Sequence, residues 1–328
     1  MNDISTICNL KDDKSCAVTF TTDDALYRSC LFYRSKFEEY GLRGTVAITA
    51  DFVCPSTNSD ITENNGYGNW EQWKALVDKG YFDVANHTKS HPSLDKISAE
   101  QLEVEVNAAR ELLQAKFPGQ KVLCMANPFV VTNDTIDAVI RQQHFSARNG
   151  QSGYNSLSPT MEEWYHLNYQ IALSHLTAED MNAWIDTAID KQSWLIEMWH
   201  GVDGQGWEPP ASAECDRHLE YLSNHLEKVW NGTMGEVTQY LWQKQHSSIK
   251  TMVQDASEIH VYLNTTLDAS LFDYPLTLKT IVPPSWKWVR IFYGNRDEIC
   301  PVTIKDGEGQ IIYSAKPNSG KIVIKDME

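Results

Sequence analysis

From residue 16 to about residue 250, short apolar segments alternate with longer stretches of helical periodicity. The short segments read CAVTFT, GTVAITA, FDVAN, KVLCMA, FSAR, YQIAL and WLIEMW. This alternation predicts strand and helix in succession, the signature of a parallel α/β architecture. Two of the intervening helices have marked starts. Ser98 followed by Gln101 forms a capping box before LEVEVNAARELLQAKF, and Thr177 followed by Asp180 has the same spacing before MNAWIDTAIDK. Seven strands, each with a helix after it, predict a closed (β/α)7–8 barrel more than an open sheet. In such barrels the chemistry collects at the C-terminal ends of the strands. Beyond about residue 255 the helical period stops. EIHVYLNTTL, PLTLKTIV, WVRIFYG, PVTIKD, QIIYSA and KIVIKD are β-branched segments separated by Pro, Gly, Asn and Asp, with a DGEG hairpin signal between two of them. The chain therefore reads as a barrel domain over residues 1–250 and a small all-β, sandwich-like domain over 256–328, joined near SSIKTMVQDAS.

Charge and composition narrow the function. With 44 acidic against 28 basic residues in 328, the formal charge is -16, which repels phosphate backbones and anionic headgroups. Nucleic acid and membrane insertion are not expected as partners, and no apolar run of about 18 residues is present. The N-terminus MNDISTICNLKDDKSC has neither the basic nor the apolar part of a signal peptide. As written the chain reads as cytoplasmic, and as extracytoplasmic if a signal has been removed. The seven cysteines, Cys8, Cys16, Cys30, Cys54, Cys124, Cys215 and Cys300, are scattered and odd in number, so no disulfide framework is expected.

The ends of the strand candidates carry the chemistry. The first strand runs into Asp23 and Asp24. Adjacent side chains at a strand end point in different directions, so one carboxylate can hold a metal while the other acts as a base; the plainer alternative is a helix cap with an acidic first turn. The third strand ends in NHTKSH, which supplies His87 and His91. With Asp24 they make a two-histidine, one-carboxylate set suited to zinc and other divalent metals, with positions left open for water and substrate. The last barrel strand ends in MWHGV and adds His200 at the same face, within reach for a general acid. Tyr67, Trp70, Trp199 and Trp207 are candidate sugar-stacking rings, and each has core packing as its alternative.

These blocks, in this order, resemble the polysaccharide deacetylase family, also called carbohydrate esterase family 4 or the NodB-homology domain. TFTTDDA is similar to the family's Thr-Phe-Asp-Asp-Gly block, NHTKSH to its His-Thr-x-x-His block, ANPF to its Arg-or-Tyr-Pro-Tyr block and MWHGV to its Leu-x-His block. The resemblance covers roughly residues 15 to 245 and implies a distorted, NodB-type barrel. It implies Asp23 as catalytic base, Asp24, His87 and His91 as metal ligands, His200 as catalytic acid, and the backbone N–H of Phe129 as oxyanion donor. Thr22, Ala25 and Asn127 depart from the family's residues. Asn127 joins the groove candidates, and the carboxylate that steadies the catalytic histidine has only Asp186 and Asp203 as stand-ins.

The resemblance further implies a metal-dependent hydrolase, with one divalent ion, zinc first, that removes acetyl groups from an N-acetylated or O-acetylated carbohydrate. The alternatives are an amidohydrolase acting on a small non-sugar C–N bond, and a carbohydrate-binding module with a decayed site. The role of the β domain and the choice between monomer and homo-oligomer stay open.

Overall fold

The structure, a computed structural model, describes residues 4–54 and 66–327. By its internal contacts the chain divides into two units. One comprises residues 15–238, and the other comprises residues 1–14 with residues 239–328.

In chain order the elements begin with β1 (Ser5–Ile7), β2 (Cys16–Thr22), α1 (Tyr27–Tyr40), β3 (Gly44–Ile48), α2 (Trp70–Val77) and β4 (Phe82–Asn86). Next come α3 (Ala99–Glu103), α4 (Ala109–Lys116), β5 (Cys124–Ala126), α5 (Asp134–Ile140), β6 (Ser146–Ser152) and β7 (Leu167–Ile171). Then follow α6 (Ala178–Lys191), β8 (Trp194–Trp199), α7 (Ser212–Ser223), β9 (Val229–Asn231) and α8 (Met234–Gln245).

Strands β2 to β8 pair in parallel around a ring that closes where β8 and β3 both bond β2, with β9 lying beside the first residues of β2. This is the expected closed barrel, with seven strands in the ring. All seven residues of β2 and all six of β8 are buried, because helices cover the outside while side chains fill the inside. Phe20 of β2 packs within 4.8–5.2 Å, centroid to centroid, of Tyr33, Phe37 and Trp199. That aromatic cluster ties α1 and β8 to the first strand and contributes about 0.5–1.5 kcal/mol per ring pair beyond area burial. The two expected capping boxes form, at Ser98 with Gln101 and at Thr177 with Asp180, and a third forms at Asn69 with Gln72.

The second unit is all antiparallel. One sheet runs β1, β12 (Leu276–Val282), β16 (Glu308–Ala315), β15 (Thr303–Lys305); the other runs β10 (Ser247–Val253), β11 (Glu258–Thr265), β17 (Lys321–Asp326), β13 (Trp288–Tyr293), β14 (Arg296–Pro301). The DGEG signal is the β15–β16 hairpin, with Asp306 and Gly307 both at positive φ as a primed turn requires. The first fourteen residues go with this unit because Ser5–Ile7 pairs with Thr280–Leu278 of β12. The division at the other end falls within α8, after Thr238, ahead of the join expected near SSIKTMVQDAS, because β10 pairs with β11 in this unit. All seven cysteines are free thiols, five of them buried and Cys54 and Cys300 half-buried.

Candidate functional site

Strand register brings the chemistry together. Thr22 of β2 pairs with Trp199 of β8, so Asp23 and His200 leave the ring side by side, and the Asp23 N–H donates to the Trp199 carbonyl at 2.9 Å. The His200 carbonyl accepts from Thr22 Oγ1 at 2.7 Å and Tyr33 Oη at 3.2 Å, which fixes that strand end. On the other side β3 pairs with β4 up to Ile48–Asn86, and the next residue is His87.

Asp24, His87 and His91 converge. Their ligand atoms lie within 4.8 Å of one another, with Asp24 Oδ1 at 3.4 Å from His87 Nε2 and 3.2 Å from His91 Nε2. That carboxylate oxygen is buried and has no hydrogen-bond partner. His87 Nδ1 faces the Ala126 carbonyl at 2.7 Å; a carbonyl only accepts, so Nδ1 carries the proton and the Nε2 lone pair points at Asp24. An orphaned buried carboxylate oxygen facing two imidazole nitrogens is a donor set that suits a divalent cation. Burial alone would lower the His87 pKa, and the carboxylates of Asp23 and Asp24 raise it above its usual value instead. Burial would raise Asp24, yet the two imidazoles hold it well below the ordinary carboxylate range.

Asp23 faces another partner. Arg148, fully buried on β6, donates Nη2 to Asp23 Oδ2 at 2.5 Å. Burial would raise the Asp23 pKa, but the guanidinium, followed by His87 and His200, keeps it below its usual value, so Asp23 is ionised at neutral pH. The sequence reading missed Arg148. Its signal was a charged residue closing the apolar run FSAR, which also reads as a strand simply reaching solvent. His200 lies with Nε2 4.0 Å from Asp24 Oδ2, and its Nδ1 is buried without a partner. Burial lowers its pKa despite the nearby carboxylates. Neither stand-in for the missing steadying carboxylate serves it: Asp186 accepts from Tyr221 Oη, and Asp203 accepts from Ser212 N.

Asp23, Asp24, His87, His91 and His200 line a cavity of 390 Å³ together with Asn127, Phe129, Val130, Tyr169, Ile171, Met198 and Trp207. Of the groove candidates, Asn127 and Trp207 belong to it, Trp207 being 56% exposed with its ring 5.5 Å from His200. Phe129 contributes an exposed ring 4.8 Å from His91. Tyr67 is half-buried against Phe52, whose ring in turn stacks on His91. Trp70 does not line the cavity: it lies under Lys116 and against Phe117. Trp199 is a correction. It is fully buried, stacked on Phe20 with Nε1 donating to Glu197 at 3.1 Å, because both faces of a barrel strand are covered and a strand-end ring can point into the core.

The only other His/carboxylate group of this kind among the described residues, Asp137, Glu162 and His166, is already satisfied as ion pairs. His166 Nε2 lies 3.0 and 2.9 Å from the two carboxylates, with Thr132 on Asp137 and Arg141 on Glu162.

Residues 11–147 match the sequence family described as polysaccharide deacetylase. A gellan lyase from Bacillus sp is 23% identical over 337 residues, which cover 95% of this chain; the chain spans 13% of that protein's length. Among solved structures, a family 4 carbohydrate esterase from Streptomyces lividans in complex with acetate is 17% identical, covering 67% of this chain and 93% of that one with a TM-score of 0.43. A family 4 pseudoenzyme from Bacillus anthracis is 14% identical, covering 68% and 65% with a TM-score of 0.44. No helix among the described residues is long and apolar enough to cross a membrane.

Proposed function

We propose that this chain, a member of the polysaccharide deacetylase family through its residues 11–147, is a metal-dependent hydrolase that removes acetyl groups from an N-acetylated or O-acetylated carbohydrate. The observation that carries the reading is the convergence of Asp24, His87 and His91 beside an ionised Asp23 in the lining of a 390 Å³ cavity.

Asp24, His87 and His91 would hold one divalent cation, zinc first, which when bound polarises a carbonyl oxygen and acidifies water. Asp23 takes the proton from the attacking water; Arg148 keeps it ionised and fixes Oδ2, leaving Oδ1, which is buried without a partner, as the accepting atom. The N–H of Phe129 donates to the oxygen on which charge develops, a contribution that can be on the order of 10² to 10³ in rate. Its backbone is held at φ 56, the left-handed region that bulky residues avoid. His200 protonates the leaving nitrogen or oxygen. Its lowered pKa makes the imidazolium a stronger acid, though a scarcer one at neutral pH. The exposed rings of Phe129, beside His91, and Trp207, beside His200, offer flat apolar faces for a sugar ring. Every residue named here lies within 15–238.

The test is metal content by elemental analysis, followed by acetate release from a panel of N- and O-acetylated oligosaccharides. About one zinc per chain with chelator-sensitive acetate release supports the reading. A chain that binds no divalent metal and releases no acetate refutes it.

A further inference from the structure

The helix behind the histidine loop is irregular. α3 and α4 are α-helical, but Val104–Ala108 between them forms a π turn, in which an extra residue widens the backbone and turns carbonyls outward. Those carbonyls serve the loop. Glu105 C=O accepts the Lys89 N–H at 3.0 Å, and Val106 C=O, which also receives the Ala109 N–H, accepts Asn86 Nδ2 at 2.8 Å. The Glu105 carboxylate takes both the N–H and the Oγ–H of Ser90, each at 2.7 Å. Asn86, Lys89 and Ser90 thus tie the chain down before, between and beside His87 and His91.

Asn86 is the more deeply set anchor. It is fully buried, and its amide is saturated: Nδ2 donates to Val106 C=O and to His144 Nε2 at 3.1 Å, while Oδ1 accepts the Thr88 N–H at 3.0 Å. His144 Nδ1 faces the Ile140 carbonyl and carries the proton there, which leaves Nε2 as acceptor. The loop needs anchors. Thr88 at φ 69 and His91 at φ 64 are non-glycine residues in the left-handed region, a conformation that costs on the order of 1–3 kcal/mol per residue and persists only where neighbours enforce it.

We propose that the π turn at 104–108, acting through Glu105 and Asn86, holds His87 and His91 in ligand geometry; both are positioning residues for the metal site proposed above, and the inference rests on that reading. A regular α-helix here would carry one residue fewer and could not present the same two carbonyls to the loop.

The experiment measures zinc affinity by competition with a chromophoric chelator, the visible spectrum of the cobalt-loaded protein, and the melting temperature without metal. It compares the wild-type chain with Glu105→Ala, Glu105→Gln, Asn86→Ala and a deletion of Val104. Zinc affinity should fall about 10- to 100-fold in Asn86→Ala and in the deletion, as for loss of outer-layer partners of metal ligands. Glu105→Ala should lose up to about tenfold, with partial recovery in Glu105→Gln, which keeps one acceptor for Ser90. The cobalt spectrum should shift in each weakened variant. If Asn86→Ala does not fold, the half-buried Glu105 decides the matter. Unchanged zinc affinity and cobalt spectrum in Glu105→Ala and the deletion, even with lower melting temperatures, would show a purely structural clamp and overturn the inference. A wild-type chain that binds neither ion overturns the metal reading beneath it.

Discussion

The barrel and the β unit treat left-handed backbone in opposite ways. Among the described residues of the β unit, every non-glycine at positive φ is Asp or Asn: Asp12, Asp13, Asp306 and Asn318. In the barrel the set includes Ala25, Thr88, Phe129 and Val130, together with Asp24 and His91. Asp and Asn enter that region cheaply, whereas alanine, aromatic and β-branched residues do so only under constraint. The β unit therefore has turns its own sequence prefers. The barrel, which also has Gln192, Asp203 and Glu208 at positive φ, adds turns imposed by their surroundings, and those at residues 24–25, 88–91 and 129–130 lie at the strand ends where the candidate ligands are. Charge divides in the same way. Residues 15–238 hold 31 acidic against 16 basic residues, while the other unit holds 13 against 12, so the acidity that would gather cations belongs to the barrel.

The largest effect expected on the barrel side is loss of the site itself. Asp24→Ala should abolish both stoichiometric zinc binding and acetate release, since two imidazoles alone form a weak site. Asp23→Asn should keep the metal and lose roughly 10² to 10⁴ in kcat, the usual contribution of a positioned proton-transfer group. If Asp23→Asn strips the metal and Asp24→Asn does not, the two carboxylates have been assigned the wrong way round. His200→Ala should also retain metal. On an N-acetyl sugar it should lose about 10²-fold or more, and on an aryl acetate, whose phenolate leaves unprotonated, much less. Equal losses on the two substrates would make His200 a structural residue.

A smaller effect concerns stability against pH. Burial raises the Asp83 carboxyl from its ordinary 3.8 to about 6, with Oδ2 accepting the Gly235 N–H and Oδ1 buried without a partner. The folded barrel thus binds this proton more tightly than the unfolded chain does. The cost of ionising Asp83 is absent below about pH 4 and complete above about pH 6, so barrel stability should fall across that window by on the order of 2–3 kcal/mol. Asp83→Asn should flatten that fall, as measured by denaturant unfolding at a series of pH values. The smallest effect returns to the backbone. Ala25→Gly should stabilise the barrel by up to about 1 kcal/mol by removing a Cβ from a residue at φ 53, while Asp306→Gly in the β15–β16 turn should change stability by less than about 0.5 kcal/mol. Equal changes at the two positions would erase the contrast between the units.

Much of this was legible in the sequence because strand ends are local signals. His87 and His200 directly follow β4 and β8, Asp24 stands two residues past β2, and His91 lies four residues on from His87; the closed ring then brings those ends together as the strand count implied. What could not be read depended on distant pairing or on which way a side chain points. Ser5 finds Thr280 across 275 positions, so nothing near residue 5 announces β1 as part of the β unit. Trp199 and Trp207 look alike in sequence, and only the core cluster around Phe20 and Tyr33 decides that the first is buried. Arg148 reaches Asp23 across the ring from another strand, a contact that exists only once the barrel closes. The π turn escaped for a similar reason: LEVEVNAARELLQAKF has ordinary helical periodicity, and the extra residue shows only where its carbonyls meet the loop.

The free thiols make the molecule its own reporter of opening. Burial pushes Cys16 and Cys124 up to about 12 and holds Cys30 and Cys215 higher still, so these barrel thiols are both inaccessible and unionised in the closed fold. A maleimide should modify half-buried Cys54 and Cys300 first and reach the other sulfurs only through excursions that part the helices from the strands. The order in which mass is added over time would then rank the mobility of separate parts of the fold, without a single engineered label.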